Sequence, residues 1–219
     1  MTDSRPRDYA ITIVRSAFAA LPFFGGLFNE LFFDHRARTK ARRFEEFVSG
    51  LARDVERLGE SAINRSYLES EEFGDLTEAT LRRVVISGSK IKRERLRRVL
   101  VSQMYSPLAT DYQELFLDLI SEVGEKEIEI LSAYREAKNR PQSEEEGENS
   151  PKRGIFRSPE YYDLDTGEYR FLIQHLIARS LMYDDGIGRW NTAALKILEI
   201  SELGCRFLEF IEGETSLQP

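Results

Sequence analysis

Residues 9–33, YAITIVRSAFAALPFFGGLFNELFF, are apolar almost throughout, and Arg36, Arg38, Lys40, Arg42 and Arg43 follow at once. A membrane-crossing helix needs about 20 apolar residues with few charges. Here Arg15, Asn29 and Glu30 lie inside the stretch, and Pro22 with Gly25 and Gly26 breaks it. Proline removes a backbone donor and glycine loosens a helix, so two short helices joined at residues 22–26 are expected instead of one span. Asp3 and Asp8 offset Arg5 and Arg7, which argues against a secretory leader. Two roles fit such a hairpin. It can be the core of a helical bundle, or it can leave the bundle for a bilayer, with each cation of the basic run gaining about 1 kcal/mol among anionic head groups. The candidate contact residues for a membrane or a partner are Phe23, Phe24, Leu27, Phe28, Arg36, Arg38, Lys40, Arg42 and Arg43.

Behind the hairpin, Phe44, Val48, Leu51, Val55, Leu58 and Ala62 step by three and four residues, which predicts one long helix over residues 27–65 with a coiled-coil-like seam. Asp75-x-x-Glu78 has capping-box chemistry and predicts the start of the next helix. Ser87-Gly88-Ser89 interrupts it, and a further helix follows from Lys90 to Met104. That helix carries a second basic cluster, Lys90, Lys92, Arg93, Arg95, Arg97 and Arg98, expected as a solvated face. Helices near 112–123 and 125–138 come next, the first opened by Thr110-x-x-Gln113. Residues 139–153, NRPQSEEEGENSPKR, read as a disordered linker.

After it, Asp165-x-x-Glu168 caps a helix, Leu181-Met182-Tyr183 reads as a strand, Asp184-Asp185-Gly186 as a turn, and residues 195–200 as a second strand. Ser201 then caps a last apolar helix.

Charge divides the chain. Residues 1–110 carry 19 Lys and Arg against 15 Asp and Glu, a net of +4, while residues 111–219 carry 12 against 23, a net of −11. Phosphate contacts need positive charge, so the second half is a poor general nucleic-acid surface. The single cysteine, Cys205, excludes an intrachain disulfide and suits a cytosolic setting.

No catalytic, cofactor or metal site is expected. His35 and His175 stand far apart, there is no partner set for zinc, and no glycine-rich phosphate loop occurs. Trp190, Tyr161, Tyr162 and Tyr183 could line a small-ligand pocket, although aromatic packing accounts for them as well.

The closing order resembles a winged-helix domain: a helix, Leu176-Ile177-Ala178-Arg179-Ser180-Leu181, a two-stranded wing, then Ile200-Ser201-Glu202-Leu203-Gly204 and an apolar helix. The resemblance implies a nucleic-acid role for Arg170, Arg179 and Arg189, set against Glu160, Asp163, Asp165, Glu168, Asp184 and Asp185 around them. Ala20 to Leu27, with Asn29-Glu30-Leu31 and the basic run, resembles the helical amino-terminal regions of bacterial defence proteins of the HeLo-like and Abi-alpha types.

The expected fold is mainly α: a helical bundle over residues 1–110, a winged-helix-like α/β module over 111–212 and a tail over 213–219. The expected function is a non-enzymatic interaction protein of abortive-infection type, its hairpin held on the 27–65 helix until a partner frees it. The alternative is a winged-helix DNA-binding regulator. The expected partners are a protein or a second copy, and an anionic membrane surface, with nucleic acid ranked below them. The expected location is cytoplasmic, peripheral to the inner membrane where the hairpin engages it.

Overall fold

The computed structural model describes residues 37–59, 63–107, 112–140, 155–186, 190 and 194–212 of the 219-residue chain. The chain divides into two compact units, residues 1–121 with 210–219, and residues 122–209. Its architecture is a helical bundle followed by a small α/β module with a two-stranded antiparallel sheet.

The bundle begins with α1, Ala37–Leu58. Phe47, Leu51 and Val55, one turn apart, are buried, and Ala52 joins them. Such a stripe is wider than a coiled-coil seam because two helices cover it. These are α3, Glu71–Ile86, and α4, Lys90–Tyr105, which pack on α1 and on each other. Leu81, Val84 and Val85 from α3 and Leu96, Val99 and Leu100 from α4 fill the space between, all with no exposed area. Burying one such side chain stabilises by about 1.5–3 kcal/mol.

α1 stops because Gly59 adopts φ +82°, a left-handed conformation that glycine takes without steric cost. Tyr105 Oη donates to the carbonyls of Gly59 (3.1 Å) and Val55 (3.3 Å), closing the helix end. A one-turn helix, α2 (Arg65–Leu68), follows under an Asn64 cap, and the Asn64 N–H donates to the Met104 carbonyl at 2.9 Å. α3 is capped by Ser70, whose hydroxyl accepts from the Phe73 N–H, not by Asp75, which lies exposed inside the helix. Ser89 caps α4 in the same way, after the break that Ser87-Gly88-Ser89 predicts. α5, Gln113–Glu122, supplies Phe116, Leu117 and Ile120 to the core, and the Phe116 ring lies 5.2 Å from that of Phe210.

Two expectations about this region are corrected. The predicted 27–65 rod ends at Leu58, and a separate helix starts at Arg65. Phe47, Leu51, Ala52 and Val55 of α1 are buried where α3 and α4 pack on it. Among the described residues no helix is long and apolar enough to cross a membrane. The reading of a defence component with a latent membrane-active hairpin is corrected on that finding: among the described residues no such hairpin is evident. Residues 9–33 lie outside the described residues.

The α/β module opens with α6, Glu125–Asn139. Most of the predicted linker, residues 141–154, lies outside the described residues. Two 3-10 turns, Ile155–Arg157 and Pro159–Tyr162, pack against α6 and lead to α7, Thr166–Ala178. α7 has the reciprocal cap that the sequence predicts: the Glu168 N–H donates to Asp165 at 2.8 Å, and the Asp165 N–H donates to the Glu168 carboxylate at 3.2 Å. β1, Met182–Asp184, pairs antiparallel with β2, Leu198–Ile200, in the register Met182 to Ile200 and Asp184 to Leu198. Both strands alternate buried, exposed, buried, which is the pattern of a ribbon with one packed face.

The last helix, α8 (Glu202–Glu212), follows Ser201, whose hydroxyl accepts from the Gly204 N–H at 2.9 Å. A Cβ at Gly204 would stand 2.3 Å from the Leu181 carbonyl oxygen and 2.8 Å from Ile200. Only glycine allows α8 this close to the ribbon, which explains the last letter of the Ser-Glu-Leu-Gly motif.

Candidate functional site

Within the second unit, α6, the 3-10 turns, α7 and the returning side of the β1–β2 ribbon (residues 194–198, here called the wing) line an open cavity of about 330 Å³. Its floor is buried and largely apolar: Ile173 from α7 and Leu198 from β2, beside the rings of Tyr134 from α6 and Tyr169 from α7. Its rim is cationic. Arg157 comes from the first 3-10 turn, Arg170 from α7 and Lys196 from the wing, and all three are exposed. Among the described residues none of the three has a carboxylate partner; Arg157 lies 5.5 Å over the Phe156 ring.

The floor is built by aromatic packing. Tyr162 is 1% exposed, donates to the Phe156 carbonyl at 2.7 Å and stacks on Tyr169. Phe156 meets Tyr134 edge to face at 4.9 Å. The Tyr134 and Tyr169 hydroxyls lie 3.3 Å apart. Burial pushes both phenols above their ordinary range. One hydroxyl donates to the other, which leaves the acceptor's own hydrogen free for a third group.

The wing wall is held by one buried carboxylate. Asp184 accepts from the Gly186 N–H at 2.9 Å and from the Leu195 N–H at 2.5 Å. The Asp185 N–H donates to the Ile197 carbonyl at 2.7 Å. These bonds fix the returning strand so that Leu195 and Lys196 face the cavity.

A second opening, a cleft of about 820 Å³ between α1 and α4, contains Arg42, Arg53, Lys90, Arg93 and Arg97. Its cations are engaged. Arg97 pairs with Asp54 at 2.8 Å, and Arg93 donates to the Ser87 carbonyl at 2.9 Å and meets Glu46 at 3.4 Å. Arg42 lies 3.8 Å from Glu46, and Lys90 lies 3.8 Å from Glu94. Glu45 adds a further carboxylate. Arg53 donates to the Ser49 carbonyl at 3.2 Å, so most of the cleft's cations, but not this one, are matched by a carboxylate.

The sequence-predicted contact residues that are described all lie on α1. Arg43 Nη1 donates to the carbonyls of Val85 (2.9 Å) and Ile86 (3.0 Å), closing the end of α3. Arg38 and Arg42 are exposed on α1, and Lys40 is half-buried. Phe23, Phe24, Leu27, Phe28 and Arg36 lie outside the described residues. Of the three arginines assigned to nucleic acid, Arg179 is bound to Glu122 at 2.9 Å, Arg170 faces the cavity, and Arg189 lies outside the described residues. Among the described residues, Arg170 and Arg179 thus have separate roles: one lines the cavity and the other is held by Glu122.

Sequence reasoning missed Arg157, Lys196, Tyr134 and Tyr169 as a group. They come from four separate segments, and nothing in their spacing joins them. Of the four aromatics considered for a pocket, Tyr162 supports the floor from behind, Tyr183 donates to Glu199 at 2.7 Å, and Trp190 is 95% exposed.

His175 Nδ1 meets the buried Glu127 carboxylate at 2.5 Å, and the other oxygen of Glu127 accepts from the Gly124 N–H at 2.7 Å. This pair joins α7 to the start of α6 and lies apart from the residues lining the cavity. Among the described residues no group of three or more His, Cys, Asp or Glu could hold a metal ion. No family model, curated protein or solved structure matches the chain.

Proposed function

We propose that the chain is a recognition protein whose α/β module takes a small molecule into the cavity between α6, α7 and the wing. The observation that carries this reading is the convergence of three cations without acid partners on one apolar-floored cavity, in the half of the chain with a net charge of −11. Ligand cavities are of this size and character: a few hundred cubic ångströms, apolar, with a small number of placed polar groups. The described lining contains no carboxylate, imidazole or thiol, which supports binding over general acid–base work.

The test is a screen of small molecules by the melting temperature of the full chain. A ligand at a hundred times its Kd stabilises by about 2.7 kcal/mol. Leu195→Trp should fill the cavity and abolish every such shift. If the shifts survive that substitution, the cavity is not the site.

A second reading has its own observation. Trp190 is 95% exposed and Phe171 67% exposed, and such aromatics anchor protein interfaces. Trp190 is the only tryptophan, so its emission reports on its own surroundings directly. A blue shift with rising protein concentration supports self-association through the wing. Constant emission across that range, together with a monomeric sedimentation coefficient, removes it.

A further inference from the structure

Resting on the reading of the cavity as a ligand site, we infer that its ligand is a phosphate monoester carried on a small apolar or planar body. The charge comes first. Arg157, Arg170 and Lys196 stand on three different elements around one mouth, with no described carboxylate paired to any of them. A carboxylate is planar and is satisfied by a single guanidinium fork. A phosphate monoester is close to dianionic at neutral pH and presents three peripheral oxygens, which suits cations arriving from three directions.

Thr166, the first residue of α7, lines the same cavity. The Asp165 and Glu168 carboxylates, held in the reciprocal cap of that helix, are not among the residues lining it.

The ligand's body follows from the floor. Pro159, Ile173, Leu195 and Leu198 offer apolar walls, and the Tyr134 and Tyr169 rings offer flat ones. Inorganic phosphate alone would leave this surface uncovered. The hydroxyl hydrogen left over by the Tyr134–Tyr169 pair can reach a bridging or ring acceptor of the ligand.

The experiment is calorimetric titration of the full chain with phenyl phosphate, benzoate, benzyl alcohol and inorganic phosphate. Phenyl phosphate is expected to bind at least tenfold more tightly than each of the others and to weaken with added salt. Arg170→Ala and Lys196→Ala should each weaken it at least tenfold with an unchanged melting temperature, since both side chains are exposed. Equal binding of benzyl alcohol and phenyl phosphate, lost in Leu195→Trp, overturns the phosphate assignment and leaves the cavity a ligand site. Inorganic phosphate binding as tightly as phenyl phosphate overturns the apolar body. Binding that is indifferent to Leu195→Trp, or no binding by any probe, overturns this inference and the reading beneath it together.

Discussion

The two openings of this molecule use the same side chains to opposite ends. In the cleft between α1 and α4, Arg93 and Arg97 meet Glu46 and Asp54, and Arg43 nearby closes the end of α3. In the cavity of the α/β module, Arg157, Arg170 and Lys196 meet no described acid. A cation supplied with its own carboxylate or carbonyl acts within the fold. A cation without one stays hydrated until something anionic arrives. The number of positive residues in a stretch therefore says less than the location of their partners, and the denser cluster here is the less available one.

If the module's cations do not hold its fold, other groups must hold the cavity walls, and those should give the largest effects. Asp184→Ala leaves the Gly186 and Leu195 N–H groups without their acceptor and should cost about 2–4 kcal/mol by chemical denaturation. A loss under about 1 kcal/mol would mean that the wing is held by other contacts. Gly204→Ala drives a methyl into the Leu181 carbonyl and should cost about 1–3 kcal/mol. An unchanged melting temperature would show that α8 can retreat freely from the ribbon.

The contrast itself is tested next. Arg97→Ala removes the bond to Asp54 and should cost about 1 kcal/mol. Arg170→Ala should change stability by less than about 0.5 kcal/mol, because its side chain is exposed and bonded to no described group. Equal costs at the two positions would erase the distinction between structural and available charge.

Alkaline titration tests the packing of the module by another route. Burial holds the Tyr134, Tyr162 and Tyr169 phenols above their ordinary value of 10.0. The unfolded chain then releases these protons first, so their contribution to stability is intact below that pH and declines as pH rises past it. Melting curves from pH 8 to 11 should fall above the ordinary phenol value, and Tyr169→Phe should soften that fall.

The order of elements was legible in the sequence because local chemistry determines it. The Asp165–Glu168 cap and the Ser201 cap act within a few residues of themselves, and the two short strands follow from their apolar runs and the turn residues between them. The start of α3 was misread because Asp75 and Glu78 have a capping spacing while Ser70, less conspicuous, makes the bond. The end of α1 was misread because the apolar seam continues numerically to Ala62, yet Gly59 turns the chain before the periodicity runs out. The cavity was not legible. Tyr134 and Lys196 are 62 positions apart, and the two 3-10 turns that bring Arg157 and Tyr162 between them have no periodic signature.

Leu195 occupies the left-handed region at φ +64°, where a side chain with a Cβ is disfavoured by about 1–2 kcal/mol, while Asp184 grips its N–H. Glycine at that position would relax the loop but remove an apolar side chain from the cavity wall. A contorted backbone is thus the condition for keeping any side chain there.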